Sequence, residues 1–347
     1  MKFVNTSIIA AAAATVAMAG GSAIAMEKVL NTVTALQPTN IIAKSYLQTF
    51  VAPVNKAGKG IVKVKYVGGQ EVVPPRKAAA ALKRGQFDLL SAPTAYYIGT
   101  VPEGYGLLAS NQGPRILRKN GGFALLQKIY KQKAGSHLLA WGESMTSYHM
   151  YLHKKPKMGK NGLPDLNGYK MRATGTYRPL FRALGATTIN IKSSEVITAI
   201  QRGTVDGYGF TDVSVVAIGL DKVTKYRIMP NFYQTNNVLT VNLNTWDSLT
   251  KKQKDFLNAQ AVKYETTSVK FVEKGRLAEE KVLRKSGVKD VVLKGDVAAK
   301  YLSIAHGEIW KELKKRSKFH DQLKPLLYID GKANRQVEIG RKLDEKR

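Results

Sequence analysis

The sequence predicts an α/β protein of two lobes, in which strands alternate with short helices and one long helix spans both lobes. Three observations predict it. They are the segment 168–210, an echo of that segment earlier in the chain, and a helical run from about residue 250 that outgrows any single small lobe.

Within 168–210, residues 169–174 form a short extended run. Tyr177, Leu180, Phe181 and Leu184 then recur at helical spacing and stop at Gly185, a residue type that tolerates the left-handed position after a helix. Residues 187–191 are β-rich, and Ser193 or Ser194 can cap a helix carrying Val196, Ile197 and Ile200 that stops at Gly203. Such alternation implies a mostly parallel sheet, whose ligands sit beyond the carboxyl ends of the strands. Arg172 stands near the end of the first strand, and Phe210 just after the last. The echo is the pattern A-[LI]-[KQ]-R-G-x-[FV]-D, found at 81–88 and again at 199–206. In both places a helix ends in a basic turn and glycine before a strand opens near an aspartate, which implies two related lobes.

Taken in order, residues 28–35 read as a strand, and Asn40 caps a helix running through Ile41, Tyr46, Phe50 and Val54. Residues 62–66 alternate as a half-exposed strand, with Gly68, Gly69, Gln70 and Glu71 looping from its end. Pro74 and Pro75 open a helix ending at Gly85; 87–91 is the next strand, followed by an aromatic loop with Tyr96 and Tyr97. A basic helix over 123–133, a buried strand over 137–141 and a surface excursion over 154–168 lead to the central segment. Residues 235–244 return as a strand. Thr250 and Gln253 form a capping box opening a helix that runs to Ser286, with Gly287 as its stop. At about 55 Å it must lie across both lobes or bend at Gly275. The remainder to Arg347 reads as further helix rich in lysine and arginine. The expected lobes are 26–143 with a returning segment near 236–270, and 144–235 with parts of 271–347, the long helix at about 250–286 spanning both.

The chain of 347 residues is long enough for two cores. Lys2, an apolar alanine-rich run over 8–19 and the Ala23-Ile24-Ala25 site before Met26 predict a cleaved signal peptide over 1–25, hence a periplasmic protein. With no cysteine, an exported chain has no disulfide framework, no thiol catalysis and no cysteine metal site. The formal charge is +30, spread from Lys28 to Arg347 without a dense block. Such a surplus draws anions; the distribution points to anionic lipids, an acidic partner or an anionic ligand rather than to nucleic acid. No Gly-rich phosphate loop, G-x-S-x-G or H-E-x-x-H motif is present. His149 and His153 are four apart, but no third ligand at metal spacing accompanies them.

Six short motifs follow one another along the chain: Gly68-Gly69-Gln70-Glu71-Val72-Val73-Pro74-Pro75, Asp165-Leu166-Asn167-Gly168-Tyr169-Lys170-Met171-Arg172, Leu184-Gly185-Ala186, Ser194-Glu195-Val196, Gly203-Thr204-Val205-Asp206-Gly207 and Trp246-Asp247-Ser248-Leu249. In this order and spacing they resemble the solute-binding proteins of tripartite ATP-independent periplasmic (TRAP) transporters, and the resemblance covers essentially all of the chain after residue 25. It implies a two-lobed periplasmic binding fold with hinge strands, no enzymatic activity and no cofactor. It also implies closure on a small organic acid, delivery to a TRAP membrane permease, and contact with the membrane only through that permease.

The family's ligand-binding arginine falls at Arg172. A planar guanidinium offers two parallel donors to a carboxylate and stays charged at any relevant pH. A second arginine of sialic-acid-binding relatives falls at Ser144, and an asparagine of theirs at Phe210. Relatives that bind acids through a metal carry a glutamate–tryptophan pair where this chain has Gly209-Phe210. Polyhydroxylated and metal-bridged acids therefore lose support, and a monocarboxylate with an apolar or aromatic body gains it. The candidate walls are Phe210, Tyr97, Tyr208 and Trp141, with core roles equally open to Trp141 and Tyr208. Gln70 and Asn237 are candidate amide donors, and Glu143 beside Ser144 a candidate partner for a cationic group. The competing readings are a secreted two-lobed α/β hydrolase and a basic envelope-surface module that binds acidic polymers.

Overall fold

In a computed structural model the chain is described over residues 27–144 and 146–329; the expected signal peptide lies outside these residues. Five strands form the first sheet: β1 (Lys28–Thr34), β2 (Val62–Gly68), β3 (Leu89–Pro93), β4 (Ser136–Trp141) and, from far along the chain, β12 (Asn237–Asn242). Their order is β2-β1-β3-β12-β4. The second sheet holds β5 (Tyr148–Leu152), β8 (Lys170–Arg172), β9 (Thr187–Ile189), β10 (Gly207–Thr211), β11 (Tyr226–Met229) and β13 (Lys289–Val292). Its order is β13-β11-β5-β10-β8-β9. A small hairpin of β6 (Lys157–Met158) and β7 (Pro164–Asp165) occupies the surface excursion.

The two sheets share one plan. Three parallel strands (β2-β1-β3 and β9-β8-β10) are followed by an antiparallel strand that arrives from the other half of the chain (β12 and β5), then by another antiparallel to it. The sequence echo sits at equivalent places in this plan. Asp88 accepts from the Asn31 N–H on β1 at 2.8 Å, and Asp206 from the Lys170 N–H on β8 at 2.7 Å. Gly85 and Gly203 both hold the positive φ that ends the preceding helix. The echo therefore marks a repeated junction, in which an aspartate ties the start of one strand to its parallel neighbour.

Local signals place most elements. Asn40 caps its helix through Ile42 N at 2.9 Å, and that helix continues through a π-helical turn, Leu47–Val51. The Thr250/Gln253 capping box is formed, and the long helix runs Lys251–Lys285, with Gly287 at φ 79 behind it. Other expectations shift. Neither Ser193 nor Ser194 provides a cap hydrogen bond, because the chain enters helix Val196–Gln201 through a 3₁₀ turn, Ser193–Glu195. Phe210 lies inside β10 rather than after it. The segment after the long helix is not helix alone; it supplies β13 before helices Gly295–Arg316 and His320–Leu327.

Helix Gly295–Arg316 buries Tyr301, Ile309 and Trp310 and packs against both Gly104–Leu108 and Arg178–Ala183, so it joins the two halves. Tyr46, Phe50 and Tyr264 form a ring cluster between the long helix and the first sheet, with centroids 5.6–6.0 Å apart. Gly142, just after β4, makes this approach possible: an added Cβ would lie 2.5 Å from Tyr264 Cζ. Gly142→Ala is thus expected to lower stability by about 1–3 kcal/mol. Chemical denaturation checks this, and an unchanged midpoint would show that the ring moves aside freely.

Candidate functional site

Arg172 ends β8, where the parallel register sets it beside Ile189 of β9 and Tyr208 of β10. Nε donates to the Ile191 carbonyl at 3.0 Å; Nη1 donates to the Gly209 carbonyl at 3.3 Å and to the Tyr177 hydroxyl. Its Cζ lies 6.0 Å from the ring centres of both Tyr177 and Phe210. Only 5 % of Arg172 is exposed, yet no carboxylate pairs with it among the described residues. Arg227 is equally buried and holds two acids, Glu280 at 2.6 Å and Asp290 at 2.7 Å. A buried cation without a counter-charge is costly, and the usual remedy is an anion. Nη2 has no acceptor among the described residues, so the guanidinium keeps a donor for one.

Phenols surround it. The Tyr148 and Tyr177 rings lie 5.9 Å apart. Burial raises the Tyr148 pKa, Tyr177 and Tyr96 add to the rise, and the charge of Arg172 opposes it. Tyr96 comes from the other lobe, in the turn Thr94–Tyr96 after β3. Burial raises its pKa too, against the nearby charges of Arg172 and Arg76. Three phenol O–H groups from both lobes thus share the surroundings of Arg172, with Phe210 as an apolar wall.

The remaining predicted residues fall elsewhere. Tyr97 does not face the guanidinium; it is buried in the first lobe with its ring 6.5 Å from Tyr130, and its neighbour Tyr96 takes the position expected of it. Trp141 is fully buried and donates from Nε1 to the Thr235 carbonyl at 2.9 Å, so it is a core strut. Tyr208 is likewise buried, stacked on Tyr151 at 5.2 Å with its hydroxyl at Thr224. Gln70 is half-buried in the loop after β2, and Ser144 is buried beside Glu143. His149 and His153 are engaged by the Ile228 and Val223 carbonyls.

Asn237 leads to the hinge. Two crossings run side by side between the sheets, joined by the Ser147–Gln234 bridge and by Thr235 N–H to the Thr146 carbonyl at 2.7 Å. Glu143 ties them to the long helix. Its carboxylate accepts from Asn237 Nδ2 at 2.7 Å and from Tyr264 Oη at 3.0 Å, its N–H donates to Ser268 Oγ, and its carbonyl accepts from Thr235 Oγ1. Its φ of 49° is uncommon for a residue with a Cβ. The sequence offers Glu143 as a partner for a cationic group; in the structure it is buried and its carboxylate is taken up by Asn237 and Tyr264. Across the hinge, Asp212 accepts from Ser147 N and Oγ, and burial pushes its pKa up to about 6.

Burial also pushes Glu143 up to about 7 from 4.5, opposed by the hydrogen bonds it accepts. A raised carboxyl pKa means that the folded state binds the proton more tightly. The resulting stability is fully present below pH 4.5 and is lost as pH rises through 7. Between those limits the stability difference is expected to move toward Glu143→Gln by up to about 3 kcal/mol. Denaturation of both proteins across that range tests this, and parallel profiles would rule it out.

Paired crossings that join two lobes, with a buried arginine that no acid pairs among the described residues, are compatible with a two-lobed solute-binding protein. The chain belongs to the bacterial extracellular solute-binding proteins of family 7, matched over residues 33–316, the solute-binding proteins of TRAP transporters. Members of this family are periplasmic and work with TRAP membrane permeases. A solute-binding protein of Albidiferax ferrireducens is 23% identical over 281 residues, covering 77% of this chain and 80% of its own. A TRAP solute-binding protein of Bordetella bronchiseptica, solved with copurified calcium and picolinate, superposes with a TM-score of 0.73 at 19% identity, over 87% of this chain and 91% of that one. Another from Rhodoferax ferrireducens, with bound malonate, gives 0.72 at 21% identity, over 86% and 96%. One from Desulfovibrio salexigens, with bound orotic acid, gives 0.72 at 17% identity over the same shares.

Proposed function

We propose that this protein, exported by its residues 1–25, captures a small organic carboxylate between its lobes and hands it unchanged to a TRAP membrane permease. Arg172 takes the carboxylate, with Tyr177 and Tyr148 beside it and Tyr96 closing from the first lobe. Phe210 lies against the body of the ligand, and Asn237 couples the cleft to the hinge. The favoured ligand is a monocarboxylate with an apolar or aromatic body, because the groups around the guanidinium are rings with phenol hydroxyls. Picolinate and orotic acid, held by two of the structural relatives, are acids of this kind; malonate is not. One observation carries the reading: Arg172 is as buried as Arg227 but lacks the acids that Arg227 has. The ligand's carboxylate supplies what is missing, and only the closed state meets it from both lobes.

The test is a thermal-shift screen of ligand-stripped protein against mono- and dicarboxylates, aromatic and aliphatic. An acid present at a hundred times its dissociation constant stabilises the protein by about 2.7 kcal/mol. Aromatic monocarboxylates are expected to give the largest shifts. If dicarboxylates or sugar acids led instead, the ligand assignment would be wrong; if no acid shifted the protein, the carboxylate role itself would be.

A further inference from the structure

The basic surplus has a structural focus that carboxylate capture does not use. Helix Lys251–Lys285 turns its acids inward or pairs them. Glu265 is buried on Arg118, Glu279 accepts from the Ser214 and Val216 N–H groups, and Glu280 is shared by Arg227 and Arg284. Glu273 is held by Arg276 and Asp255 by Lys251. On the solvent side Lys252, Lys263, Lys270, Lys274, Lys281 and Lys285 are all exposed, and none has an acidic partner among the described residues. At 3.6 residues per turn these six fall within about 60° of arc, in one line along about 50 Å of helix. The nearest acids, Asp255 and Glu273, lie to one side and are already paired.

We propose that this line is a ridge by which the protein rests on an anionic lipid bilayer. Fold stability does not account for it: Lys270 with Lys274 and Lys281 with Lys285 are like charges one turn apart, which disfavours the helix. The residues are lysines, hydrated point charges on flexible stems, suited to a diffuse layer of headgroups rather than to paired recognition of one ligand. A row confined to one face of a single helix can present all six charges to a plane at once, which suits the flat, diffuse charge of a bilayer. Each cation near such a surface raises partitioning by roughly fivefold, so six are ample for reversible attachment. The inner face of the same helix holds the hinge through Tyr264 and Ser268, so contact on the ridge leaves the residues around Arg172 uncovered. This adds a direct membrane contact to the expected one through the permease, and it does not depend on which acid is bound.

The experiment is cosedimentation of the full mature chain with vesicles of phosphatidylcholine alone or mixed with phosphatidylglycerol, at low and physiological salt. One variant changes the six ridge lysines to glutamine; a control changes Lys56, Lys59, Lys63, Lys65, Lys157 and Lys160, also exposed, for the same loss of charge. Wild type is expected to bind only the anionic vesicles, and more weakly as salt rises. The ridge variant should lose at least roughly tenfold, the control clearly less, with neither melting lower than wild type. Equal losses would reduce the effect to net charge and overturn the ridge. Absence of binding to anionic vesicles would overturn it too, as would stronger capture by soluble polyglutamate, which would point to an acidic protein partner.

Discussion

Arg172→Met is expected to lower affinity for the captured acid by at least roughly a hundredfold while leaving the empty protein as stable as wild type, or more so. The two halves of this result have one cause. In the empty protein the guanidinium is buried on carbonyls and a phenol without a counter-charge, so an apolar chain of similar length removes a desolvation cost. In the bound protein the same charge pairs with a carboxylate away from water, where such pairs matter most. A residue with a merely structural role would give the opposite pattern, a lower melting temperature with ligand-induced stabilisation intact. Calorimetry and melting curves on the same samples separate the two.

Arg227→Met is expected to do the reverse, lowering stability by about 2–4 kcal/mol with little effect on ligand affinity once folded. Arg227 on β11 clamps Asp290 across the parallel register of β13 and reaches Glu280 on the long helix, fixing the outer edge of the second sheet to that helix. Without it two acids face each other in a partly buried setting. Hydrogen bonds from Arg227 and Arg284 hold Glu280 down to about 2, overcoming the effect of burial. That stability is present above pH 4.5 and is lost as pH falls through about 2, so wild type and variant should converge in acid. Urea midpoints at neutral and acidic pH check this, and an equal gap at both would contradict it.

The frame of the protein was legible wherever the signal was local. The Thr250/Gln253 box, the Asn40 cap and the repeated aspartate junctions at Asp88 and Asp206 each act within a few residues or mark a recurring unit, so spacing alone exposes them. Arg172 stood out because the family resemblance puts a ligand-binding arginine there, and its place at the end of a strand is compatible with that proposed role. Its partners did not. Tyr96 ends a three-residue turn and Tyr97 follows it directly, where neighbouring side chains diverge and no periodicity says which faces the cleft. Tyr177 read as an apolar helix position, but it precedes the helix and turns its hydroxyl to Arg172. The Glu143–Asn237–Tyr264 network joins residues 94 and 121 positions apart, and nothing local marks such a contact. The lysine line could be drawn on a helical wheel, but its meaning depends on where the acids of the same helix go, and only tertiary structure supplies that.

The most direct test of the central claim is a calorimetric titration of ligand-stripped protein with the best-stabilising acid and with its carboxamide. The amide keeps the shape of the ligand and removes its charge. If Arg172 awaits a carboxylate, the acid binds and the amide binds at least roughly tenfold more weakly, a gap that disappears in Arg172→Met. Equal binding of acid and amide by the wild-type protein would contradict the account.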